Sequence, residues 1–440
     1  MNPQQNLSIP AEETQETVGE HVPPPEKDHV NQLISEIRDS FFEEEPDCLE
    51  PDQSDIRHID QSATYEKQET VPRKQVLAIG DLDADFSSLV RILDKAGYIA
   101  FTQNKNRQKQ NIHLRQKGLT GTVVQTGDFF DRGQKLLTTL DFINLLRENG
   151  VDFRMTAGNH DLMALYALSC SSVGNADRDF YRLIKDISRI CRYQPSIAPN
   201  RVAHAVVNND ITNRLNNQSL PYHNDVLNFI NWFYEGGGNL LKEMRDPEHQ
   251  NYDNHAPSLK EQLEKARHLM FEDTDYARAL SRLSVFEKID DVLYLHAGVD
   301  DYWADIIEKK GFERINEDFR RDLKTKDLQD YVIGPKKNAF WMRGNALTPR
   351  SAQVLKKQGI NAVVRGHDTM TSGQPESHHE YGIAVINIDI GIKAGRLGGA
   401  LITPDNRIEG FTEKKRLMLA NLPPLKRETP YNYEPKAKSA

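Results

Sequence analysis

The sequence predicts an α/β fold, and two observations indicate it. From residue 75 onward, short apolar runs with β-branched residues recur, and a polar, glycine-containing segment follows each run at once. Patterns typical of helices lie between several of the runs, for example at 86–96 and 136–148. Strands that alternate with helices are typical of α/β proteins, in which the ends of the strands carry the chemistry.

Six apolar runs are typical of short buried strands, because they contain β-branched residues and lead into glycine-containing segments. In chain order they are Val76–Ile79, Val123–Val124, Phe153–Met155, Val292–Leu295, Ala362–Val364 and Ile383–Ile386. Asp, Asn and His residues collect directly after these runs. We therefore expect the functional side chains to lie at the ends of the strands.

A different pattern interrupts this alternation between about residues 165 and 285. Helical periodicity dominates there, at Phe180–Tyr193, Val226–Arg245 and Leu259–Phe286. We therefore expect one catalytic domain over residues 73–413 that carries a helical insertion at about 165–285. The chain from 414 to 440 is basic and contains proline, so we expect a surface tail there.

The first 72 residues differ in composition from the rest of the chain. They contain 18 acidic and 4 basic residues, so this region has a formal charge of −14, whereas the whole chain has −9. Such an acidic, proline-containing sequence predicts a mostly disordered region. Residues 28–42 are an exception, because apolar residues recur there at helical spacing. A helix that docks on the body and a helix that binds a partner both fit this pattern.

The sequence also excludes several classes of protein. No stretch approaches the roughly 20 apolar residues of a membrane-spanning helix. The first 20 residues have no basic segment followed by an apolar run, which disfavours a secretory signal peptide. Cys48, Cys170 and Cys191 have no paired spacing, which disfavours disulfides and zinc knuckles and indicates a reducing, cytoplasmic compartment. Basic stripes with interleaved aromatic residues are absent, so we expect no nucleic-acid partner.

The polar segments contain the residue types that hydrolysis of a phosphate ester requires. Two metal ions about 3.5–4 Å apart can activate a bridging hydroxide and relieve charge on the phosphoryl oxygens. Such a site needs carboxylates, an amide oxygen, imidazoles, and arginines that face the phosphate. The chain supplies this set in order, in the segments Gly80–Asp83, Gly127–Gly133, Gly158–Asp161, His296–Gly298, Trp341–Gly344 and Arg365–His367. One segment alone would be a weak signal, whereas six in order are a strong one.

This series of motifs resembles the phosphoprotein phosphatase family of calcineurin-like metallophosphoesterases. Relatives in that group include calcineurin, the bacterial serine/threonine phosphatases and the diadenosine tetraphosphate hydrolases. The resemblance covers roughly residues 75–405 apart from the insertion, and Gly127–Gly133 and Gly158–Asp161 are very specific motifs. It implies a β-sandwich flanked by helices, with two divalent metal ions as cofactors.

The resemblance also implies a role for each matching residue. Six residues would hold the metal ions. Asp81 and Asp83 would bind the first ion, and Asn159, His296 and His367 would bind the second. Asp128 would bind both ions. Four would act on the substrate: Arg132 and Arg343 by binding the phosphate, and His160, oriented by Asp131, by protonating the leaving oxygen. The last role agrees with elementary chemistry, since a leaving alkoxide needs a proton and an imidazole beside a carboxylate commonly donates one.

The first motif departs from the family pattern, which is Gly-Asp-x-His-Gly. Asp83 stands where the family has His, and Ala84 replaces the second Gly. A carboxylate still binds metal ions but is a harder ligand, which favours manganese over zinc or iron. Asp85 is an alternative ligand, although its position just before the predicted helix favours a capping role. The long insertion should border the active-site face, so it is a candidate for substrate selection.

The sequence therefore predicts a metal-dependent phosphomonoesterase that dephosphorylates protein at Ser, Thr or Tyr by attack of a metal-bridging hydroxide. The main alternative is a diadenosine tetraphosphate or nucleotide hydrolase. A pseudo-phosphatase scaffold is a second alternative, and Asp83 is its only support. A narrower resemblance is to the effector phosphatases of the WipA and WipB kind, which Legionella-type intracellular bacteria inject into host cells. It would imply secretion into the host cell without a cleaved signal peptide.

Overall fold

The computed structural model describes residues 70–426, with internal gaps at 104–109, 116–117, 119, 134, 170–228, 230–231, 234–236, 245–258 and 273. The helix predicted at 28–42 lies outside the described residues, as do nearly all of the acidic N-terminal region and the helix predicted at 180–193. Within the described ranges, no helix is both long enough and apolar enough to cross a membrane.

The described chain contains both strands and helices, which alternate in part as the sequence predicts, whereas the strands from residue 362 onward follow one another without an intervening α-helix. The strands are β1 (Thr70–Val71), β2 (Val76–Ile79), β3 (Ile99–Gln103), β4 (Gln110–Leu114), β5 (Thr122–Gln125), β6 (Asp152–Met155), β7 (Glu287–Ile289), β8 (Val292–Leu295), β9 (Ala362–Arg365), β10 (Glu376–Glu380), β11 (Ile383–Asn387), β12 (Gly398–Ile402), β13 (Arg407–Thr412), β14 (Arg416–Asn421) and β15 (Leu425–Lys426). The helices are α1 (Phe86–Lys95), α2 (Leu136–Glu148), α3 (Asn159–Ser169), α4 (Gly238–Glu243), α5 (Leu259–Phe271), α6 (Asp275–Leu280), α7 (Asp301–Thr325), α8 (Gln329–Val332), α9 (Asn338–Trp341) and α10 (Pro349–Lys357).

Two mixed sheets form the body of the protein. The larger sheet has the strand order β14-β13-β12-β2-β5-β6, and the smaller has the order β10-β11-β9-β8-β7. β2, β5 and β6 run parallel to one another, and so do β8, β9 and β11. Because parallel strands present their carboxyl ends at one edge, each sheet gathers the segments that follow its central strands.

The alternation of side chains along the central strands explains how the sheets pack. Val76 and Ala78 of β2 share one buried cluster with Tyr294 of β8 in the other sheet. Leu77 and Ile79 point the opposite way and pack in the cluster that contains the helices. If β2 paired with its neighbours one residue out of register, the residues of these two faces would exchange places. Burial of both faces therefore fixes the register of β2. The fold class is therefore confirmed as a β-sandwich flanked by helices.

The two ends of the described chain pair with each other, because β1 and β15 form a separate two-stranded sheet. β14, which precedes β15, forms one edge of the larger sheet. β14 lies inside the range 414–440 that the sequence assigned to a surface tail, so any such tail starts later. Lys414 and Lys415, whose charges suggested the tail, are exposed residues in the turn between β13 and β14. Water solvates charged side chains in an exposed hairpin turn as well as in a disordered tail, so these charges fit either structure.

The described part of the insertion consists mainly of helices. Periodicity predicts a single helix at 259–286, but α5 ends at Phe271 and α6 begins at Asp275. Thr274 causes this break in part, because its side chain accepts a hydrogen bond from the Ala277 amide and caps α6. The chain then leaves the helical region and enters β7.

Candidate active site

The predicted functional segments converge at the carboxyl ends of the parallel strands. Asp81 follows β2, Asp128 follows β5, and Asn159 begins the helix after β6. From the smaller sheet, His296 follows β8 and His367 follows β9. The contacts between these side chains, which are all buried, bring the edges of both sheets to one site.

Three candidate ligand atoms lie close to the Nε2 atom of His296. That atom lies 2.9 Å from Asn159 Oδ1, 3.0 Å from His367 Nδ1 and 3.3 Å from Asp128 Oδ1. Ligands that bind one ion at about 2.1 Å, at right angles to each other, are themselves about 3.0 Å apart. Asp128, His296 and His367 form a group that could hold a metal ion. The spacing of the donors therefore fits a bound cation.

The imidazole groups are oriented for this purpose. His296 Nδ1 donates a hydrogen bond to the carbonyl oxygen of Thr126 at 2.9 Å, so the lone pair of its Nε2 faces the other ligand atoms. Such a bond from the second ring nitrogen is the usual way in which proteins fix a ligating histidine. The backbone N–H of His367 donates to Asp81 Oδ1 at 3.0 Å. This hydrogen bond joins the Asp81 loop to the same cluster.

The buried carboxylates also indicate that the site binds cations. Burial raises the pKa of Asp81 well above its ordinary value, and the charges of Asp389, Asp128 and Asp83 raise it further. Burial raises the pKa of Asp128 as well, but His296 and His160 outweigh that effect, and the pKa falls to about 2. Divalent cations between these acids would offset the repulsion that Asp81 experiences.

A second group adjoins the ligand atoms and consists of His160, Asp131 and Arg132. His160 Nδ1 lies 3.1 Å from Asp131 Oδ2, and the His160 backbone N–H donates to Asp128 Oδ1 at 2.9 Å. Burial lowers the pKa of His160, but the carboxylates of Asp128 and Asp131 prevail and raise it to about 9. His160 Nε2 faces Arg132, whose Nη2 atom is 2.7 Å away. A guanidinium only donates, so Nε2 accepts from Arg132 in this arrangement, and the protonated imidazole can donate a proton from Nε2 once Arg132 is displaced.

The two predicted phosphate-binding arginines have different surroundings. The Arg132 side chain is 27% exposed, and its Nη1 donates to Asp83 Oδ1 at 3.1 Å. The Arg343 side chain is 67% exposed and pairs with Asp368 at 3.1 Å, next to His367 in the chain. Arg132 is therefore held inside the site, whereas Arg343 stands at its border, where a substrate could engage it.

Asp83 and Asp85, the two alternatives for one metal ligand, have separate contacts. Asp85 caps α1, because its two carboxylate oxygens accept hydrogen bonds from the Ser88 backbone amide at 3.0 Å and the Ser88 hydroxyl at 2.7 Å. Asp83 is buried, raises the pKa of Asp81 through its charge, and accepts a hydrogen bond from Arg132. The structure thus directs Asp85 to the helix and Asp83 to the site.

The backbone of the site is strained. Six non-glycine residues of its motifs have positive φ angles: Asp83, Ala84, Asp128, Asp131, Arg132 and His367. Such conformations cost of order 1–3 kcal/mol each and tend to cluster at functional sites. Gly158 shows how closely the loops pack, because a Cβ atom there would lie 2.1 Å from the Asp128 amide nitrogen and 2.2 Å from its Oδ1 atom.

Two residues support the site although the sequence indicated no role for them. Asp161 accepts hydrogen bonds from the backbone amides of Phe129, Phe130 and Gly158 at 2.7–2.8 Å, which ties two motifs together. Burial and the charge of Asp128 raise the pKa of Asp161 to about 7. Trp232, from the insertion, donates to Asp131 Oδ1 at 2.9 Å. The position of Asp161 beside His160 was a signal for the first, whereas no local pattern marked Trp232.

A cavity of about 270 Å³ opens beside Arg132. It lies between the loop that carries Asp83 and the loop that precedes α2, and its lining residues are Asp83, Ala84, Asp85, Phe86, Ser87, Arg132, Gly133 and Lys135. The ring of Phe86 is buried against Phe142, with ring centroids 5.4 Å apart. The described lining therefore offers polar groups and two cations rather than an open aromatic face.

The sequence profile of a protein family, described as Calcineurin-like phosphoesterase, matches residues 74–369. That range covers more than half of the chain and contains every candidate site residue described above. The chain belongs to the calcineurin-like phosphoesterase family. No curated protein matches the chain significantly.

Solved structures similar to this calcineurin-like phosphoesterase include a cold-active protein tyrosine phosphatase, with 20% identity, 79% of each chain covered and a TM-score of 0.44. A protein serine/threonine phosphatase from Saccharomyces cerevisiae, similar to human phosphatase PP5, has 12% identity, covers 76% of this chain and 74% of its own, and gives a TM-score of 0.34. A candidate diadenosine tetraphosphatase has 14% identity to this chain and gives a TM-score of 0.27. The match covers 80% of this chain and 95% of the tetraphosphatase chain.

Membership of the family establishes the coarse chemistry. This calcineurin-like phosphoesterase is a hydrolase of phosphoesters, and its family uses divalent metal ions. The cluster of Asp128, His296 and His367 is where the described residues could hold such an ion. The narrower resemblance to injected effector phosphatases stays a prediction.

Proposed function

We propose that this chain is a metal-dependent phosphomonoesterase that dephosphorylates protein. One juxtaposition supports the proposal: Asp128 belongs to the ligand group around His296 and also accepts the amide hydrogen bond of His160. Metal ligands, an imidazole acid and Arg132 therefore share one buried site. Transfer of a phosphoryl group to water requires this combination of groups.

In this proposal the chain holds two divalent ions. Asp81 and Asp83 would hold the first, Asn159, His296 and His367 would hold the second, and Asp128 would serve both; all six side chains are buried. When bound, such ions supply Lewis-acid stabilisation of the phosphoryl oxygens and lower the pKa of water. The carboxylate of Asp83, in place of an imidazole, makes this ligand set harder and favours manganese over zinc or iron.

The remaining residues act directly on the substrate. Arg132 and Arg343 bind the phosphoryl oxygens, since a guanidinium can contact two oxygens at once. As the bond between phosphorus and the leaving oxygen breaks, His160 donates the proton from Nε2 to that oxygen. Asp131 keeps the ring oriented through Nδ1 and stabilises its positive charge before transfer. The substrate phosphate also displaces Arg132 from Nε2, to which it is close in the free protein.

The cavity beside Arg132 favours protein over a dinucleotide as substrate. Adenine rings are commonly held between aromatic or apolar faces, and the only aromatic residue in the described lining, Phe86, has its ring buried. Lys135 and Arg132 instead offer cationic groups to the segments that flank a phosphorylated residue. Although Asp83 and Asp85 also line the cavity, these cations and the absence of an open aromatic face in the described lining support a phosphopeptide rather than diadenosine tetraphosphate as the substrate.

A direct comparison of substrates tests the proposal. The full-length protein is loaded with Mn²⁺, Zn²⁺ or Fe²⁺ in turn, and phosphate release is measured from phosphoserine, phosphothreonine and phosphotyrosine peptides and from diadenosine tetraphosphate. We expect at least one class of phosphopeptide to be hydrolysed at least tenfold faster, in kcat/KM, than the dinucleotide. The His160→Ala variant, which lacks the proton donor, is the matched negative control.

The two alternatives give different results in the same experiment. Faster hydrolysis of diadenosine tetraphosphate than of every phosphopeptide would replace the proposal by a nucleotide hydrolase. Binding of metal ions and phosphopeptide without any turnover would instead indicate a pseudo-phosphatase.

A further inference from the structure

Three residues of the helical insertion contact the catalytic loop at Asp131 and Arg132 and the first turn of α2. The indole Nε1–H of Trp232 donates to Asp131 Oδ1 at 2.9 Å, and the Asn239 side-chain amide donates to the carbonyl oxygen of Arg132 at 2.8 Å. The carboxylate of Glu243 accepts the first two backbone amides of α2 at 2.7 and 3.0 Å. Lys135, at the N-cap position of α2, makes no side-chain capping bond. The insertion therefore supplies the cap that this helix lacks.

Trp232 contacts Asp131, which is the hydrogen-bond partner of the proposed proton donor, His160. Asp131 Oδ1 accepts from Trp232, and Asp131 Oδ2 pairs with His160 Nδ1. Two donors on different oxygens prevent the carboxylate from rotating about its Cβ–Cγ bond, and the orientation of the imidazole depends on that carboxylate. The backbone of Asp131 is itself strained, with a φ of 72°, so the loop requires contacts of this kind to keep its conformation.

Trp232 is held firmly enough to perform such a role. It is fully buried, and its ring packs edge-on against Phe229 with centroids 5.4 Å apart. A Cβ atom at Gly237 would lie 2.2 Å from Cε2 and 2.6 Å from Nε1 of the indole. Only glycine at position 237 lets the backbone of the insertion approach the indole this closely.

We infer that Trp232 is a positioning residue for general-acid catalysis, through which the insertion fixes Asp131 and thereby the proton-donating ring of His160. The inference rests on the proposed function, because it assigns His160 as the acid. It also gives the insertion a task within the reaction, in addition to any contact with the substrate. Tryptophan suits this task because the indole N–H is a donor only and keeps the carboxylate as an acceptor.

The test uses two substrates that differ in their need for a proton. The leaving group of 4-nitrophenyl phosphate is a stable anion, whereas the leaving alkoxide of a phosphoserine peptide must be protonated. Trp232→Phe keeps most of the ring volume and removes the donor. We expect kcat to fall about tenfold or more for the peptide and less than about threefold for the aryl phosphate, since general acids contribute about 10²–10⁴-fold. KM should change little for either substrate.

Two further variants separate positioning from packing. Gly237→Ala keeps Trp232 but displaces its ring, and should give the same selective loss as Trp232→Phe; it also serves if Trp232→Phe fails to fold. Phe229→Leu loosens the aromatic contact without removing the N–H donor, and should affect both substrates equally. In a His160→Ala background, Trp232→Phe should change peptide turnover less than about twofold. The effects of substitutions do not add when the residues act as one unit, and the proton donor that Trp232 positions is already absent in this background.

The outcomes are distinguishable. If the wild-type protein hydrolyses neither substrate, the proposed function fails. If the wild-type protein is active but Trp232→Phe and Gly237→Ala slow both substrates equally, or Trp232→Phe adds its full loss to that of His160→Ala, Trp232 is a packing residue and the inference is overturned.

Discussion

The two halves of the candidate metal site are built in different ways. Asn159 begins α3 and His296 directly follows β8, and His296 Nε2 lies 2.9 Å from Asn159 Oδ1 and 3.0 Å from His367 Nδ1. Asp81 and Asp83 belong instead to a loop that hydrogen bonds to the loop after β5, since the Asp83 amide donates to the Asp128 carbonyl oxygen at 2.9 Å. The carboxylate of Asp83 accepts a hydrogen bond from Arg132 at 3.1 Å.

This difference explains where the chain departs from its family. Ligands that directly adjoin a strand or helix, as Asn159 and His296 do, are held by the packing of that element, so a substitution there would leave the site incomplete. The loop that follows β2 lies outside the regular elements, and both departures from the family motif, Asp83 and Ala84, fall in it. Variation in the first motif, which carries Asp81 and Asp83 and is called the loop half below, is therefore compatible with an intact group of Asn159, His296 and His367.

The largest effect should come from the residue that both halves share. Asp128→Ala removes one ligand of the histidine cluster and the acceptor of the His160 amide. We expect loss of bound metal together with a fall in turnover of roughly 10³-fold or more, because metal ions supply several kcal/mol of charge stabilisation. Elemental analysis and turnover of 4-nitrophenyl phosphate measure the two effects. Asp405→Ala, at an exposed acid remote from the site, should change neither.

Full activity of an Asp128→Ala protein that contains no metal would contradict the two-metal proposal. Loss of one ion with normal retention of the other would show that the two halves bind independently.

The arginines should show an intermediate effect that separates phosphate binding from metal binding. Arg132→Ala and Arg343→Ala should keep both ions and weaken catalysis by about 2–4 kcal/mol, which is about 30- to 1,000-fold. The loss should be larger for Arg132, because its side chain is 27% exposed while that of Arg343 is 67% exposed. Arg350→Ala removes an arginine that pairs with Asp305 and Glu308 elsewhere and is the matched control. Loss of metal from Arg132→Ala would argue against its role in phosphate binding.

The sequence predicted the central strands because burial on both faces leaves a continuous apolar run that ends at glycine. It missed β10 and β12, each for a different reason. β10 contains Glu376, Ser377, His378 and His379, all exposed, so no apolar pattern marks it. β12 begins with two glycines, which weaken any strand signal. Pairing with neighbouring strands, rather than local propensity, forms these elements.

The sequence also predicted which residues converge in the site, because each belongs to a short motif at a strand end. It could not predict Trp232, which is separated from Asp131 by 101 positions and lies in a segment without a motif. The capping role of Asp85 was predictable, since its side chain bonds a residue only three positions away. Contacts within a motif can be predicted from spacing, whereas contacts that depend on tertiary packing cannot.

The smallest effect should arise in the loop half, at the family's unusual position 83. Asp83→His would restore the family's ligand type, so we expect retained activity and a shift in metal preference from manganese toward zinc or iron. Asp83→Ala should weaken the first ion selectively, and excess Mn²⁺ should restore most of the lost turnover. Metal titrations that follow both ions, with turnover measured at each concentration, test these expectations.

Asp85→Ala is the matched control, because it removes a neighbouring carboxylate that caps α1. Loss of a cap costs about 0.5–2 kcal/mol of stability, so its melting temperature should fall while its metal content stays normal.

Asp83 has a second candidate role, since it also holds Arg132 at 3.1 Å. If Asp83→Ala binds both ions normally but binds inorganic phosphate differently, Asp83 positions Arg132 and is not a ligand. If Asp85→Ala instead loses an ion, Asp85 takes the place of Asp83 in the loop half.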